Sequence, residues 1–242
     1  MLEAALWGLV GGGSLVVGAA LGLRLGPSQR VIGLVMAFGA GVLVSAAAFE
    51  LTEEAFRRGG RDAAAIGLGA GALAFFGADS LVTRFGGGHR KRSGGQQQAG
   101  TAAALVIGSL LDGIPESAAI GISLLEGDGV GIAVVAAVFI SNVPESLSAA
   151  VGLRAAGRSQ AWIMGLWTAV AMASALAALA GFALLDGASG NLIGGIQAFA
   201  AGAIVVMLAD TMIPEAYEDS GRWVGLVTAA GFGLAFLLST FE

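Results

Sequence analysis

Long apolar segments constrain this chain more than any other feature of its sequence. Eight segments each contain about 20 mostly apolar residues, the length that an α-helix needs to cross a bilayer. Charged residues make up only 12% of the 242 residues, whereas a soluble domain has about 25%. We therefore expect an all-α integral membrane protein with the lipid bilayer as its solvent. The expected spans are 3–24, 31–54, 62–83, 101–125, 129–153, 160–184, 191–214 and 222–240.

Basic residues predict the orientation of these spans, because they concentrate in cytoplasmic loops. With the N-terminus outside, only Arg57, Arg58 and Arg61 lie on the outer side, and the other Lys and Arg residues lie in cytoplasmic connections. Eight spans return the C-terminus to the outside as well. The first span lacks a basic leader, so we expect it to be retained. The chain is predicted to form a single transmembrane domain, 1–242, whose connection 84–100 is a flexible cytoplasmic loop.

Missing residue types exclude several functions. The chain has no cysteine, which excludes disulfides and thiolate metal sites, and its one histidine, His89, argues against a multi-histidine centre within one chain. Neither a Gly-x-Gly-Asp signature nor a His-Glu-x-x-His motif is present, so we do not expect an enzyme. The net charge of −5 gives no reason to expect nucleic acid as a partner. The preference for Arg over Lys, with abundant Ala and Gly, is typical of GC-rich bacteria and predicts a bacterial cell (inner) membrane.

Three of the four prolines are followed by glutamate, and all three lie in expected spans. Proline frees a backbone carbonyl inside a helix, and a membrane tolerates such a break where the freed group lines a polar cavity or finds a partner. Pro115 and Pro144 belong to two segments, 112–117 and 141–146, that align without gaps at an offset of 29 on consecutive spans. Repeated Pro-Glu pairs in mid-span predict a functional site.

A second pair of similar segments predicts an inverted repeat. Residues 38–55 align without gaps with residues 199–216, at an offset of 161. The segments lie on the second and seventh spans, which cross the membrane in opposite directions because five steps separate them. Inverted repeats of this kind are typical of secondary transporters with a site near the bilayer midplane. The fourth and fifth spans would then form the central pair.

Acidic residues concentrate on these helices, and no Lys or Arg lies inside the spans near mid-membrane. An unpaired buried carboxylate is costly or takes up a proton, so converging carboxylates need protons or a cation. A divalent metal fits best, because carboxylate and amide oxygens are its natural hard ligands. For Asp79 a protonated carboxyl that ties helices together is the simpler interpretation. For Glu53 and Glu54, at an outer helix end, solvation explains the residues as well as function does. The candidate metal-binding residues are Asp112, Glu116, Ser141, Asn142, Glu145, Asp210 and Glu215, with Glu50 and Glu54 on one face of the second span.

At these residues the sequence resembles the ZIP (Zrt/Irt-like protein) family of divalent metal transporters. The resemblance covers essentially the whole chain and implies eight transmembrane helices in a 3+2+3 inverted-repeat bundle, with both termini outside and a variable cytoplasmic loop after helix three. The family's His-Asn-x-Pro-Glu-Gly-type motif on helix four corresponds to 112–117, and the related motif on helix five corresponds to 141–146. The helix-two and helix-seven motifs correspond to 50–55 and 211–216.

The resemblance also implies roles for individual residues. Glu116 and Glu145 would be the shared ligands of a binuclear centre, with Asp112 on one metal and Asn142 on the other, and Asp210 would complete the second site. Three positions on helices four and five depart from the family: Asp112 replaces the usual histidine, Gly113 removes one oxygen ligand, and Ser141 replaces the commoner neighbour of Asn142. Because imidazole favours zinc and carboxylates suit Mn²⁺ and Fe²⁺, we predict a weaker preference for Zn²⁺ over Mn²⁺ than in a histidine-containing relative.

We therefore expect a secondary-type transporter that carries divalent cations of the Zn/Mn/Fe class into the cytoplasm. The cation would be gathered near the outer acids, bind at mid-membrane and leave past Asp210 and Glu215. Two alternatives remain: a non-transporting metal sensor or scaffold of the same fold, because the ligands are altered, and a transporter of another solute. A homodimer is compatible with the small-residue helix faces and with the family.

Overall fold

The computed structural model describes residues 1–95, 100, 102–126 and 130–240, and every regular element in these residues is helical. The expected all-α class is therefore confirmed. Two π-helical segments, Ala46–Thr52 and Leu208–Met212, join α2 to α3 and α7 to α8. The α-helices are α1 (Leu2–Leu25), α2 (Gln29–Ser45), α3 (Glu53–Arg84), α4 (Ala102–Ser123), α5 (Ile132–Ala155), α6 (Gln160–Leu185), α7 (Gly190–Met207), α8 (Ile213–Ser220) and α9 (Trp223–Ser239).

Serine residues begin three of these helices. The hydroxyls of Ser28, Ser159 and Ser189 each accept a hydrogen bond from the backbone N–H three residues later, at 3.2–3.4 Å. Such N-caps satisfy backbone donors that have no partner within the helix. At the other end of α1, Gly26 adopts a left-handed conformation with φ 52°, which glycine reaches without steric cost. Local sequence thus fixes where the long apolar helices start and stop.

Six helical runs in the described residues are long and apolar enough to cross a membrane, the pattern of a multi-pass membrane protein. One of them, Gln29–Arg84, has 56 residues and contains two of the expected spans. Gly60 lies between those spans with φ 70° and ψ −179°, a conformation that is essentially restricted to glycine. The helix is therefore broken at Gly60. The last helix, α9, is apolar but has only 17 residues.

Small residues let the helices pack at short distance. A methyl group at Gly71 on α3 would overlap the Phe199 carbonyl of α7, and one at Gly202 on α7 would overlap the Leu68 carbonyl of α3. Close approach through glycine is typical of helix contacts in lipid. Many large apolar side chains point outwards, such as Leu184, which is 80% exposed. An apolar outer surface of this kind suits a lipid environment.

Candidate functional site

The two Pro-Glu helices, α4 and α5, carry the predicted midplane residues among their buried side chains. Pro115 lies inside α4 and Pro144 inside α5, and both helices continue through their prolines. Asp112 and Glu116 on α4, and Glu145 on α5, are each at most 3% exposed. Four residues separate Asp112 from Glu116, about one helical turn, so they share a face. Sequence analysis predicted this grouping, and the described geometry brings these carboxylates together inside the bundle.

The connection after α3 contributes the groups that sequence analysis did not predict at this site. We expected 84–100 to be a flexible cytoplasmic loop, and its residues 96–99 lie outside the described residues. In the structure, residues 85–95 fold back against the bundle, and Arg90 and Lys91 are only 3% and 2% exposed. Buried Lys and Arg side chains are rare unless they are paired with acidic groups. Their partners are the predicted carboxylates.

Arg90 joins α3 to α4 through its guanidinium group. Nε and Nη2 of Arg90 donate to the two carboxylate oxygens of Asp112, both at 2.8 Å, in a bidentate pair. Nη1 forms an ion pair with Asp79 at 2.8 Å and donates to the Gly87 carbonyl at 3.3 Å. Two-point contacts of this type are the strongest that a carboxylate makes with a side chain. Asp79 therefore forms an ion pair with Arg90. The simpler interpretation from sequence had been a protonated carboxyl that ties helices together.

Lys91 joins α4 to α5. Its ammonium nitrogen lies 3.4 Å from Asp112 Oδ2 and 3.1 Å from Glu145 Oε2. Burial alone would lower the pKa of Lys91, but the Asp112 and Glu145 carboxylates outweigh burial and raise the pKa above its ordinary value. Lys91 therefore carries its charge at neutral pH. One positive charge is shared between a carboxylate from each Pro-Glu helix.

Asp112 and Glu145, with Arg90 and Lys91, form the carboxylate cluster. Two further glutamates lie beside it. Both carboxylate oxygens of Glu116, and Oε1 of Glu215 on α8, are buried without a hydrogen-bond partner in the described part of the chain. Glu116 interacts electrostatically with Glu145, Lys91 and Asp112, and Glu215 interacts with Lys91 and Glu145. Buried polar oxygens without partners call for an explanation such as a ligand. Glu116 thus adds unused ligand capacity to the cluster, and Glu215 adds it nearby.

The polar residues before Glu145 are bound to neighbouring backbone. The Asn142 amide nitrogen donates to the Gly11 carbonyl of α1 at 3.2 Å, which leaves the amide oxygen as an acceptor. The Ser141 hydroxyl donates to the Val138 carbonyl of its own helix at 3.0 Å. A Cβ atom at Gly113 would approach Ser174 on α6, so a side chain at that position would begin on the α6 side. The Asn142 nitrogen and the Ser141 hydroxyl proton are therefore used in backbone contacts, and the Asn142 amide oxygen can only act as an acceptor.

A cavity of about 580 Å³ lies at the end of the bundle opposite the Arg90–Lys91 connection. Glu50, Glu53 and Glu54 line it, and Glu54 is paired with Arg57 and Arg58. Its wall also contains Ala119, three residues after Glu116 on α4, and Gln197, whose buried Oε1 has no hydrogen-bond partner among the described residues. The cavity thus approaches the carboxylate cluster from the side where the second span ends.

Asp210 is not brought into the cluster. It lies in the π-helical segment Leu208–Met212 and is exposed on the surface of the bundle. Across the described ranges, no three His, Asp or Glu side chains are grouped as they would be to hold a metal ion. Asp112 and Glu145 instead face Arg90 and Lys91, which take up part of their ligand capacity.

Models of known protein families give no match to this sequence, and neither do curated proteins. Function must therefore be argued from the site itself. The sequence did contain a signal for the role of Arg90 and Lys91. They belong to a run of three basic residues beside glycines, in a chain whose spans contain several acidic residues and no mid-membrane cation. Because buried carboxylates need positive partners, Arg90 and Lys91 could have been predicted to pair with the acidic residues of the spans.

Proposed function

We propose that this chain is a secondary-type transporter that carries divalent cations of the Zn/Mn/Fe class across a bacterial cell membrane into the cytoplasm. One observation carries the proposal: carboxylates from two Pro-Glu helices, Asp112 and Glu145, are buried inside the bundle and share the Lys91 ammonium between them. A group of hard oxygen ligands contributed by neighbouring helices is suited to a divalent cation. Ionisable residues inside a membrane bundle generally mark ion pathways.

The proposed bundle has eight spans. The length of one helical run supports this number. The 56-residue run Gln29–Arg84 would be about 84 Å long as one straight helix, which is far longer than a bilayer is thick. Gly60, with its positive φ, would divide it into the second and third spans. Gly221, with φ 60°, would separate the seventh span from α9. With the N-terminus outside, both termini would then lie outside.

Helix packing supports a 3+2+3 inverted repeat. In such a repeat α1 corresponds to α6, α2 to α7, the part of α3 after Gly60 to α9, and α4 to α5. The contacts obey this exchange: α2 packs on α9 as α7 packs on α3, and α1 packs on α5 as α6 packs on α4. Close contacts follow it too, since Gly41 meets the Thr228 carbonyl of α9 while Gly202 meets the Leu68 carbonyl of α3.

Backbone irregularities support the same repeat. The first π-helical segment, Ala46–Thr52, falls on 207–213 when it is shifted by the alignment offset of 161, and the second is Leu208–Met212. π-helical turns are rare and frequently occur at functional sites. Their appearance at equivalent positions of two aligned segments is therefore better explained by a shared origin than by chance.

A transport path follows from the positions of the acidic groups. The cation would enter the cavity lined by Glu50, Glu53 and Glu54 and pass the wall at Ala119 to reach Glu116. Asp112, Glu116, Asn142 and Glu145 would hold it, with the two glutamates able to bridge a pair of ions. It would leave past Glu215, which lies within electrostatic range of Glu145. Asp210 is exposed on the bundle surface, so we assign it no ligand role.

Uptake by purified protein in proteoliposomes tests this proposal. Zn²⁺, Mn²⁺ and Fe²⁺ would be offered to the wild type and to Glu145→Ala, with Asp186→Ala, a change in the connection between α6 and α7, as the control. We expect uptake that Glu145→Ala abolishes and Asp186→Ala leaves intact. An oxygen-only site should discriminate weakly between Zn²⁺ and Mn²⁺. Strong selectivity for Zn²⁺ would contradict the ligand assignment, and no divalent uptake at all would refute transport.

A second candidate function is a metal sensor or scaffold of the same fold. The observation that favours it is the ion pairing of Asp112 and Glu145 with Arg90 and Lys91, which stabilises the closed cluster without any metal. Metal binding without uptake would support this candidate. Uptake that depends on Glu145 would exclude it.

A further inference from the structure

The segment that follows α3 is built to enter the bundle. Gly86, with φ 84°, turns the chain immediately after the helix, and at Gly87 the chain passes so close to Val82 and the Ala104 carbonyl that a Cβ atom would overlap them. Both features require glycine. The run of glycines before Arg90 is therefore explained by its route back into the protein rather than by flexibility.

Three contacts hold the same segment against α5 and α8. The Ser148 hydroxyl of α5 donates to the Lys91 carbonyl. The Ser93 hydroxyl donates to Asp219 of α8 at 3.2 Å, and Arg92 forms a two-point ion pair with Glu218. Arg90 anchors the other side to α3 and α4. The segment thus crosses the cytoplasmic end of the two Pro-Glu helices and is fixed on both sides.

The Lys91 ammonium occupies the position that a cation between the Pro-Glu helices would take. It contacts one oxygen from α4 and one from α5, which are the oxygens that a metal bound between these helices would need. A divalent ion placed between these two oxygens would coincide with the Lys91 ammonium and be repelled by its charge in a poorly screened interior. Binding of a divalent cation there and the present position of Lys91 are mutually exclusive.

We propose that Arg90 and Lys91 act as a tethered competitor of the transported divalent cation, and that metal binding to Asp112 and Glu145 expels Lys91 and releases residues 87–93 from the cytoplasmic end of the bundle. This inference rests on the proposed transport function and adds the group that controls it. A divalent ion replaces a single ammonium charge, so it is the stronger partner for two carboxylates. Release of the segment removes the covering over the cytoplasmic exit near Glu215.

Lys91 is the only lysine in the chain, which provides a direct test. A lysine-specific endoprotease can cut the protein only after Lys91, into residues 1–91 and 92–242. Purified full-length protein would be digested without metal and with Mn²⁺, and binding of Mn²⁺ would be measured by calorimetry in parallel. We expect resistance to cleavage without metal and at least a tenfold faster cleavage with saturating Mn²⁺. Acetylation of the Lys91 amine, followed by mass spectrometry, should show the same change.

Two variants separate competition from a general effect of charge. Lys91→Gln removes the competing ammonium and should bind Mn²⁺ at least tenfold more tightly than the wild type. Arg84→Gln removes one positive charge from the exposed end of α3 and should change the affinity less than twofold. Mg²⁺ at equal ionic strength controls for screening, and cleavage should follow the binding curve of each ion.

The outcomes distinguish this inference from the function on which it rests. If the wild type binds Mn²⁺ while Lys91 stays protected, or if Lys91→Gln binds no more tightly, the competitor role is wrong and metal transport still stands. If neither the wild type nor Lys91→Gln binds a divalent cation, the proposed function and the competitor role both fail. Binding accompanied by rapid cleavage, with tighter binding by Lys91→Gln, supports both.

Discussion

Removal of the Arg90 side chain should destabilise the protein far more than removal of its neighbour Arg92. Arg90 is buried and pairs with Asp79 and Asp112. Loss of one partner of a buried ion pair costs about 3–5 kcal/mol, because a charge is left inside the protein without compensation. Arg92 pairs with the exposed Glu218, and surface pairs contribute about 0.2–1 kcal/mol. The two substitutions delete the same side chain two positions apart.

The measurement is equilibrium unfolding in mixed detergent micelles, followed by the fluorescence of the four tryptophans. Arg90→Ala should shift the unfolding equilibrium at least about a hundredfold, since each 1.4 kcal/mol is about a factor of ten, and Arg92→Ala less than about tenfold. Because Arg90 and Asp112 interact directly, Arg90→Ala combined with Asp112→Asn should cost at least about 1 kcal/mol less than the sum of the single changes. Equal small effects of both arginines, with additive double variants, would refute the buried network.

Two further predictions address the membrane arrangement. Gly202→Ala should destabilise the protein by about 1–3 kcal/mol through overpacking against α3, whereas Gly69→Ala, whose Cβ would meet no neighbour, should be neutral; equal melting temperatures would contradict the close helix contact. Because the chain has no native cysteine, Asp62→Cys and Arg222→Cys can each be labelled alone in spheroplasts. A membrane-impermeant thiol reagent should reach the first from outside and the second only after lysis, and the same side for both would contradict eight spans.

Regular features of the fold were predictable because they depend on local sequence. Apolar segments of spanning length located the helices, and the serine caps lie where those segments begin. Asp112, Glu116 and Glu145 were grouped correctly from their spacing on two Pro-Glu helices. The expected connection between the second and third spans, 55–61, contains the break at Gly60, although helical conformation continues on both sides of that residue.

The role of the 85–95 connection could not be read from periodicity, because the segment forms no regular helix and its contacts are with distant residues. Arg90 meets Asp112 across 22 positions, and Ser93 meets Asp219 across 126. Composition predicted a solvated loop, since basic residues and glycines usually stay in water. The decisive factor was the negative charge of the bundle interior. That charge comes from acidic residues on several helices, and the composition of the connection itself does not show it. Asp210 was assigned by analogy with a motif, and its exposure separates it from the other acids.

The interlocking glycines have a mechanical consequence. Where Gly71 and Gly202 bring α3 and α7 together backbone to backbone, and Gly41 and Gly231 do the same for α2 and α9, no side chain can rotate to absorb a displacement. Each pair should therefore move as one rigid unit, and bending should concentrate at Gly60 and Gly221. The lipid-facing surfaces of these helix pairs should therefore keep nearly the same shape when the protein changes conformation.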